Sequence, residues 1–280
     1  MRLARYGAPG AERPAILDDA GVPRDLTGIV ADIGGETLTR AGLGRLRGLD
    51  LASLPAIAEG TRIGASVGGV GKMICVGLNF RDHAAESNLA VPEQPVIFMK
   101  ATTAICGPND EVRIPRGSEN TDWEVELGVV IGDVARDVSE AEAMNHVAGY
   151  VLVHDVSERA FQLEHGGQWV KGKSCDTFGP IGLWLLTADA VADPQALGMW
   201  LEVNGHRYQD GTSAEMVFGV ATLVSHISRY MTLMPGDVIS TGTPAGVGLG
   251  QKPPTYLKAG DVVELGIDGL GTQRQTLVQA

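Results

Sequence analysis

The stretch Glu124-Val125-Glu126-Leu127-Gly128-Val129-Val130-Ile131-Gly132, introduced by Asp122 and Trp123, decides the fold class. A short run of Val, Ile and Leu bounded by Asp and Gly has the composition of a strand. A period of two puts Glu124 and Glu126 on one face and Val125 and Leu127 on the other. Runs of the same kind lie on both sides of it: MICVGLNF from Met73, PVIFMK from Pro95, GYVLVHD from Gly149, IGLWLL from Ile181, MWLEVNG from Met199, DVISTG from Asp237 and DVVELGI from Asp261. Helical patterning is confined to 138–147, with Ser139 as a candidate cap, 156–165 and 219–232. Strands outnumber helices without the strand–helix alternation of a doubly wound sheet, so the predicted class is α+β, mainly β, with a curled or sandwiched sheet. Residues 1–66 read as a small N-terminal domain and linker, running into the small-residue stretch GASVGGVGK; residues 67–280 form the main body.

The 280 residues include 38 Gly and 14 Pro, which fits many tight turns and a large β-rich core. A net charge of −12 repels phosphate backbones and anionic lipid, which argues against nucleic-acid and membrane partners and for a small molecule. An anionic substrate then needs a local positive centre. The opening MRLARYGAPGAERPAILDD lacks the apolar stretch of a signal peptide, and no run reaches the roughly 20 apolar residues that span a bilayer, so a cytoplasmic location is expected. Cys75, Cys106 and Cys175 are odd in number and widely spaced, which suits reduced, buried thiols.

Two carboxylates side by side on a strand, Glu124 and Glu126, are ordinarily a solvated acidic face; the competing reading is a cation site, since close like charges raise each other's pKa. Asp155 shifts that balance. It ends the apolar strand GYVLVHD on the face of Val151 and Val153, where an unpartnered acid is costly. Three oxygen ligands without thiolate or imidazole favour Mg²⁺ or Mn²⁺, with Ca²⁺ as a further option. His154 points to the other face and reads as structural. In NFRDHAAE, His83 and Glu86 stand three apart on a helical turn, either a surface ion pair or a general base with its orienting carboxylate. Gly167 to Ser174 matches the phosphate-loop spacing but lacks the preceding strand and the following helix, so it is set aside, with Lys173 kept as a cation for a carboxylate or enolate. STGTPAGVG from Ser240 is either an ordinary turn or a set of backbone donors suited to a carboxylate.

Taken in order, GLNFRDHAAE, TDWEVELGVVIG, VHDVSERAFQ, KGKSCDTFGP and DVISTGTPAGVG closely resemble the fumarylacetoacetate hydrolase family, over about residues 72 to 270. The branch most resembled cleaves acylpyruvates and 2,4-diketo-3-deoxy sugar acids and is often labelled ureidoglycolate lyase. The resemblance implies a mixed β-roll behind a small N-terminal domain, usually as a homodimer, with Mg²⁺ or Mn²⁺ on Glu124, Glu126 and Asp155. It puts the family's His-Glu dyad on His83 and Glu86, its lysine on Lys173, its substrate-contacting Arg and Gln on Arg159 and Gln162, and its loop threonine on Thr243. Phe80 departs from a common Tyr. The activity it implies is hydrolysis of a 2,4-diketo-3-deoxy acid of the L-rhamnonate or L-fuconate type to pyruvate and a hydroxy acid such as lactate. Ureidoglycolate cleavage, oxaloacetate decarboxylation and fumarylpyruvate or other acylpyruvate hydrolysis are the alternatives. Besides Arg159 and Gln162, Trp169 is a candidate for the substrate tail, and the dyad helix is expected to act as a lid.

Overall fold

The computed structural model describes residues 1–86 and 90–280. Val125–Ile131 is a central strand of a nine-stranded sheet and is buried along its whole length, as are Val147–His154 beside it and Val238–Ser240 on its other side. Going outward on one flank, Val147–His154 is followed by Leu185–Thr187, Arg2–Tyr6, Arg13–Leu17 and Pro23–Asp25. On the other flank, Val238–Ser240 is followed by Met73–Gly77 and Val96–Lys100. All neighbours are antiparallel except Val238–Ser240 with Met73–Gly77. A second, five-stranded sheet runs His206–Thr212, Gly198–Val203, Val262–Ile267, Gly271–Gln279, Val112–Ile114. Helices are few and short, so the molecule is α+β and mainly β, as the spacing of apolar runs predicts.

The alternation along the central strand separates two cores. Val125, Leu127, Val129 and Ile131 pack with Leu201, Val263, Leu265 and Leu277 of the second sheet. Val130 faces the other way, with Cys75, Val151, Val153 and Val238. Burying aliphatic side chains on both faces stabilises the sheet by about 1.5–3 kcal/mol per side chain. The same arithmetic makes any charge on these strands conspicuous.

Residues 1–66 add strands to the edge of the larger sheet: Arg2 and Leu3 pair with Leu186 and Leu185. Leu3, Ile16, Leu26, Leu38, Leu43 and Leu46 join the apolar cluster that contains Val130 and Val151. Their burial is therefore continuous with that of the larger sheet.

The helices are shorter than their sequence patterns. Over 156–165 only Arg159–Leu163 is helical, because Ser157 and Glu158 pair as strand with Asp122 and Thr121. Over 138–147, Glu140–Ala143 gives way to a 3₁₀ turn, Met144–His146. Ser139 stands at the N-cap position, but its hydroxyl donates to Glu142 Oε2 at 2.8 Å and caps no backbone N–H. The third pattern becomes Val220–Ser228 behind Gly219. Around Lys173 there is a four-residue helix, Val170–Lys173, preceded by another helix, which is not the strand-to-helix setting of a phosphate loop.

Candidate active site

Strand register builds the centre of the site. Val153 lies opposite Glu126, and one step further on the Asp155 N–H donates to the Glu124 carbonyl at 3.0 Å, so three carboxylates converge on one face. One oxygen from each of Glu124, Glu126 and Asp155 lies within 4.8 Å of the others, and all three residues are buried. Carboxylates this close need counter-charges or strong donors. Lys173 Nζ donates to Glu124 Oε2 at 2.6 Å and to Asp155 Oδ2 at 2.9 Å. Lys100 pairs with the other oxygen of Asp155 and also donates to the Val156 carbonyl at 2.9 Å. Arg159 donates to Glu124 Oε1 at 2.7 Å, to Asp122 Oδ2 at 2.8 Å and to Gln162 Oε1 at 3.0 Å.

Glu126 is treated differently. Its Oε2 accepts from the Ser240 hydroxyl at 2.5 Å and from the Gly242 N–H at 3.0 Å, and it makes no ion pair among the described residues. Burial, together with the negative charges of Asp155 and Glu124, pushes its pKa well above the usual carboxylate range. Burial pushes Glu124 the same way, but Lys173 and Arg159 outweigh it and hold that carboxyl well below its usual range. The centre is thus one positive charge short at Glu126. Three hard oxygen donors around that deficit suit a divalent cation such as Mg²⁺ or Mn²⁺.

The dyad sits on the helix Arg81–Glu86, just after the strand Met73–Gly77. His83 Nδ1 is 3.2 Å from Glu86 Oε2, and Glu86 Oε1 accepts from the Gly246 N–H at 2.9 Å. Gly246 has φ +105°, and a Cβ there would come within 1.9 Å of the Tyr208 carbonyl oxygen, so only glycine presents its N–H to Glu86 in this way. The same loop is tied to the centre through Asp122, which accepts from the N–H groups of Gly248 at 2.6 Å and Leu249 at 2.9 Å. Thr243 Oγ1 donates to the Val125 carbonyl at 2.9 Å and accepts from Gln209 Nε2 at 2.8 Å. Its hydrogen pins the loop to the central strand, leaving the hydroxyl only acceptor capacity toward a ligand.

A cavity of about 480 Å³ joins these parts. Glu124, Glu126, Lys173, Arg159, Gln162, Thr243, His83 and Glu86 all line it. Asp155 lies behind them, with no exposed surface. Every residue read as a site candidate is therefore at or directly behind one cavity. Lys100, Asp122 and Gln209 are part of the support and were not singled out, whereas Ser240 and Gly242, in the stretch read as donors suited to a carboxylate, both bind Glu126. Lys100 did carry a signal, a charge ending the apolar run PVIFMK; Gln209 carried none that spacing reveals. His154 faces away, with Nδ1 3.0 Å from Gln275 Oε1 of the second sheet, which is a structural position.

Residues 72–278 match the family model for the fumarylacetoacetate hydrolase C-terminal domain. The chain belongs to the fumarylacetoacetate hydrolase family. A relative from Burkholderia cenocepacia, whose name goes no further than hydrolase, is 61% identical over 277 residues, covering 99% of this chain and 98% of the relative. Among solved structures, a fumarylacetoacetate hydrolase from Exiguobacterium antarcticum is similar with TM-score 0.85 and 35% identity, over all of both chains. A 5-carboxymethyl-2-hydroxymuconate delta-isomerase from Mycobacterium smegmatis has TM-score 0.79 and 32% identity, over 100% of this chain and 99% of that one. A maleylpyruvate hydrolase from Sphingobium, solved with manganese(II) and pyruvate, has TM-score 0.82 and 29% identity, again over all of both chains. This family's activity spans hydrolases and isomerases, and the acidic triad with a manganese-bound neighbour supports a divalent metal here. No helix among the described residues is long and apolar enough to cross a membrane.

Proposed function

We propose that the protein hydrolyses a carbon–carbon bond in a 2,4-diketo acid, releasing pyruvate and the carboxylic acid of the tail. The observation that carries this reading is the placement of the His83–Glu86 pair and the Glu124, Glu126 and Lys173 side chains around one cavity. A base and a cationic centre that face the same space are what cleavage into an enolate requires. Glu124, Glu126 and Asp155 would hold the metal, Mg²⁺ or Mn²⁺. When bound, such an ion offsets the triad's charge and polarises the carboxylate and 2-oxo oxygens of the substrate.

The remaining work falls to the protein's own side chains. Glu86, held by Gly246, keeps a proton on His83 Nδ1 and so leaves Nε2 free to accept one. His83 Nε2 takes a proton from water as the oxygen attacks C4. The C3–C4 bond then breaks, and its electron pair becomes the enolate of pyruvate, which the Lys173 ammonium stabilises. Protonation at C3 completes the products, so one water is consumed across the cleaved bond. Arg159 anchors Glu124 and Asp122, and Gln162 stands beside it at the cavity wall. Thr243 offers an acceptor there.

Within this class, the motif resemblance supports a 2,4-diketo-3-deoxy sugar acid of the rhamnonate or fuconate type, with lactate as the second product, and a homodimeric assembly. The test is a panel of acylpyruvates, sugar-derived diketo acids included, incubated with the protein and Mg²⁺ while pyruvate is measured. Release from at least one member is expected; none across the panel sinks the proposal. A second reading draws on the delta-isomerase neighbour and on oxo-acid lyases and decarboxylases, whose chemistry has no use for an activated water. Incorporation of ¹⁸O from solvent into the new carboxylate separates hydrolysis from both.

A further inference from the structure

Apart from its acids, its cations and the dyad, the cavity is lined mainly by apolar side chains, Val76, Leu78, Phe98, Leu163, Val247 and Leu249 among them. Trp169 belongs to this wall but brings a polar group to it. The indoles of Trp123 and Trp184 donate to the carbonyls of Gly246 and Gly269 at 3.0 and 3.2 Å, whereas the Trp169 N–H has no acceptor among the described residues. An indole nitrogen can only donate, and a buried one ordinarily finds a partner. A ligand oxygen in the cavity would supply it.

The ring is held in place. Gly77, at the end of the strand Met73–Gly77, leaves a notch for it: a Cβ there would lie 2.3 Å from Cζ3 of Trp169. Phe98 meets the indole edge to face at 5.4 Å. Cζ3 lies across the six-membered ring from the carbon that carries Nε1, so seating that edge on Gly77 leaves the N–H edge on the side away from it. The backbone is fixed as well. Trp169 begins the turn that carries Lys173, and its carbonyl accepts from the N–H groups of Gly172 at 3.0 Å and Lys173 at 3.2 Å. Lys173 Nζ in turn lies 5.2 Å from the centre of the Phe98 ring. The indole donor and the Lys173 ammonium are therefore set one helical turn apart.

We infer that Trp169 determines specificity for the substrate tail. Its indole N–H donates to an oxygen on C5, the hydroxyl that is carried into the hydroxy-acid product, while the ring packs against the carbon beside it. This inference rests on the oxo-acid reading above and deepens it: the oxo-acid end goes to the acids and Lys173, and the tail runs to the indole. A hydroxylated tail is then preferred to an alkyl tail of the same length.

Ligands that cannot be cleaved test it. N-(2-hydroxyethyl)oxamate and N-propyloxamate have equal length, present the same carboxylate and carbonyl to the centre, and differ only in a hydroxyl or a methyl on the atom that matches C5. Each is titrated calorimetrically into the Mg²⁺-loaded protein. The hydroxyethyl ligand should bind about fivefold more tightly, the effect of one neutral hydrogen bond. In Trp169→Phe, which keeps an aromatic ring and loses the donor, that ratio should fall to about 1. In wild type labelled with ¹⁵N at its four indole nitrogens, one N–H signal should move downfield with the hydroxyethyl ligand and stay in place with the propyl ligand. Equal affinities in wild type, a preference that persists in Trp169→Phe, or no such selective shift overturns the inference alone. Binding of neither oxamate would sink the oxo-acid reading and the inference with it. Because nothing is cleaved, the result is independent of pyruvate release, whose absence would sink only the hydrolase reading.

Discussion

Lys100 and Asp155 form an ion pair in which neither side chain has any solvent exposure. They lie 55 residues apart in the chain and meet where the strand Val96–Lys100 ends and Val147–His154 gives way to Asp155. Because Lys100 takes one oxygen of Asp155, the other is turned toward Lys173 and the triad. Removing one partner of a buried pair costs up to about 3–5 kcal/mol, and less where the other keeps a second cation, as Asp155 keeps Lys173. Lys100→Met is expected to lower stability by up to that amount in urea unfolding without metal, and Mg²⁺ should restore part of it. A loss under about 1 kcal/mol would show that Asp155 does not depend on Lys100.

Glu126 should behave in the opposite sense. As the carboxylate of the triad without an ion pair, it gains from neutralisation, and a glutamine carbonyl can still accept from Ser240 and Gly242. Glu126→Gln is therefore expected to leave the metal-free protein as stable as wild type or about 1 kcal/mol more stable, while abolishing the thermal shift that Mn²⁺ produces in wild type. A metal-free variant several kcal/mol less stable, or one with an unchanged Mn²⁺ shift, would contradict the charge deficit.

The dyad should matter to turnover but little to the fold, since His83 and Glu86 are partly exposed on a six-residue helix. His83→Ala is expected to lower kcat by roughly 10²–10⁴ with Mn²⁺ affinity retained. Glu86→Gln should cause a fall of similar size, because with its oxygen on the Gly246 N–H the amide turns its NH2 group to His83 Nδ1 and fixes the tautomer that cannot act as base. Full activity in His83→Ala would remove it as the base.

Cys106 provides a pH test away from the centre. Burial, and then the nearby Asp110 charge, push its thiol up to about 12 from an unfolded value of 9.0. Between those values the folded state holds the proton more often than the unfolded state, so stability falls as pH rises through the window and is intact below 9. One pH unit into the window should remove about 1 kcal/mol. Cys106→Ala unfolding measured at pH 8 and pH 10 should show a smaller drop than wild type; equal drops would put the thiol's titration elsewhere.

Much of the site was legible because strand periodicity is local. Alternation alone set Glu124 and Glu126 side by side, and an acid ending the run Val147–His154 marked Asp155 as their companion. His83 and Glu86 were legible as a helical pair for the same reason. The motif order then supplied the family and the expectation of an oxo-acid centre. What each polar atom does was not legible. The resemblance implies Arg159 and Thr243 as substrate contacts; the structure adds that the guanidinium binds Asp122, Glu124 and Gln162 and that the Thr243 hydrogen goes to the Val125 carbonyl.

The amino-acid sequence by itself determined the β-rich class, the placement of Glu124 and Glu126 on one face of the central strand and an acid, Asp155, at the end of another apolar strand, since each follows from spacing within a few residues. Only the tertiary structure decided the charge balance among those acids. Lys100 reaches Asp155 from 55 residues away, Arg159 reaches Asp122 from 37 and Ser240 reaches Glu126 from 114. The energy of a buried charge depends on which partner stands within a few ångströms of it, and that distance is set by how the sheets close, not by position along the chain.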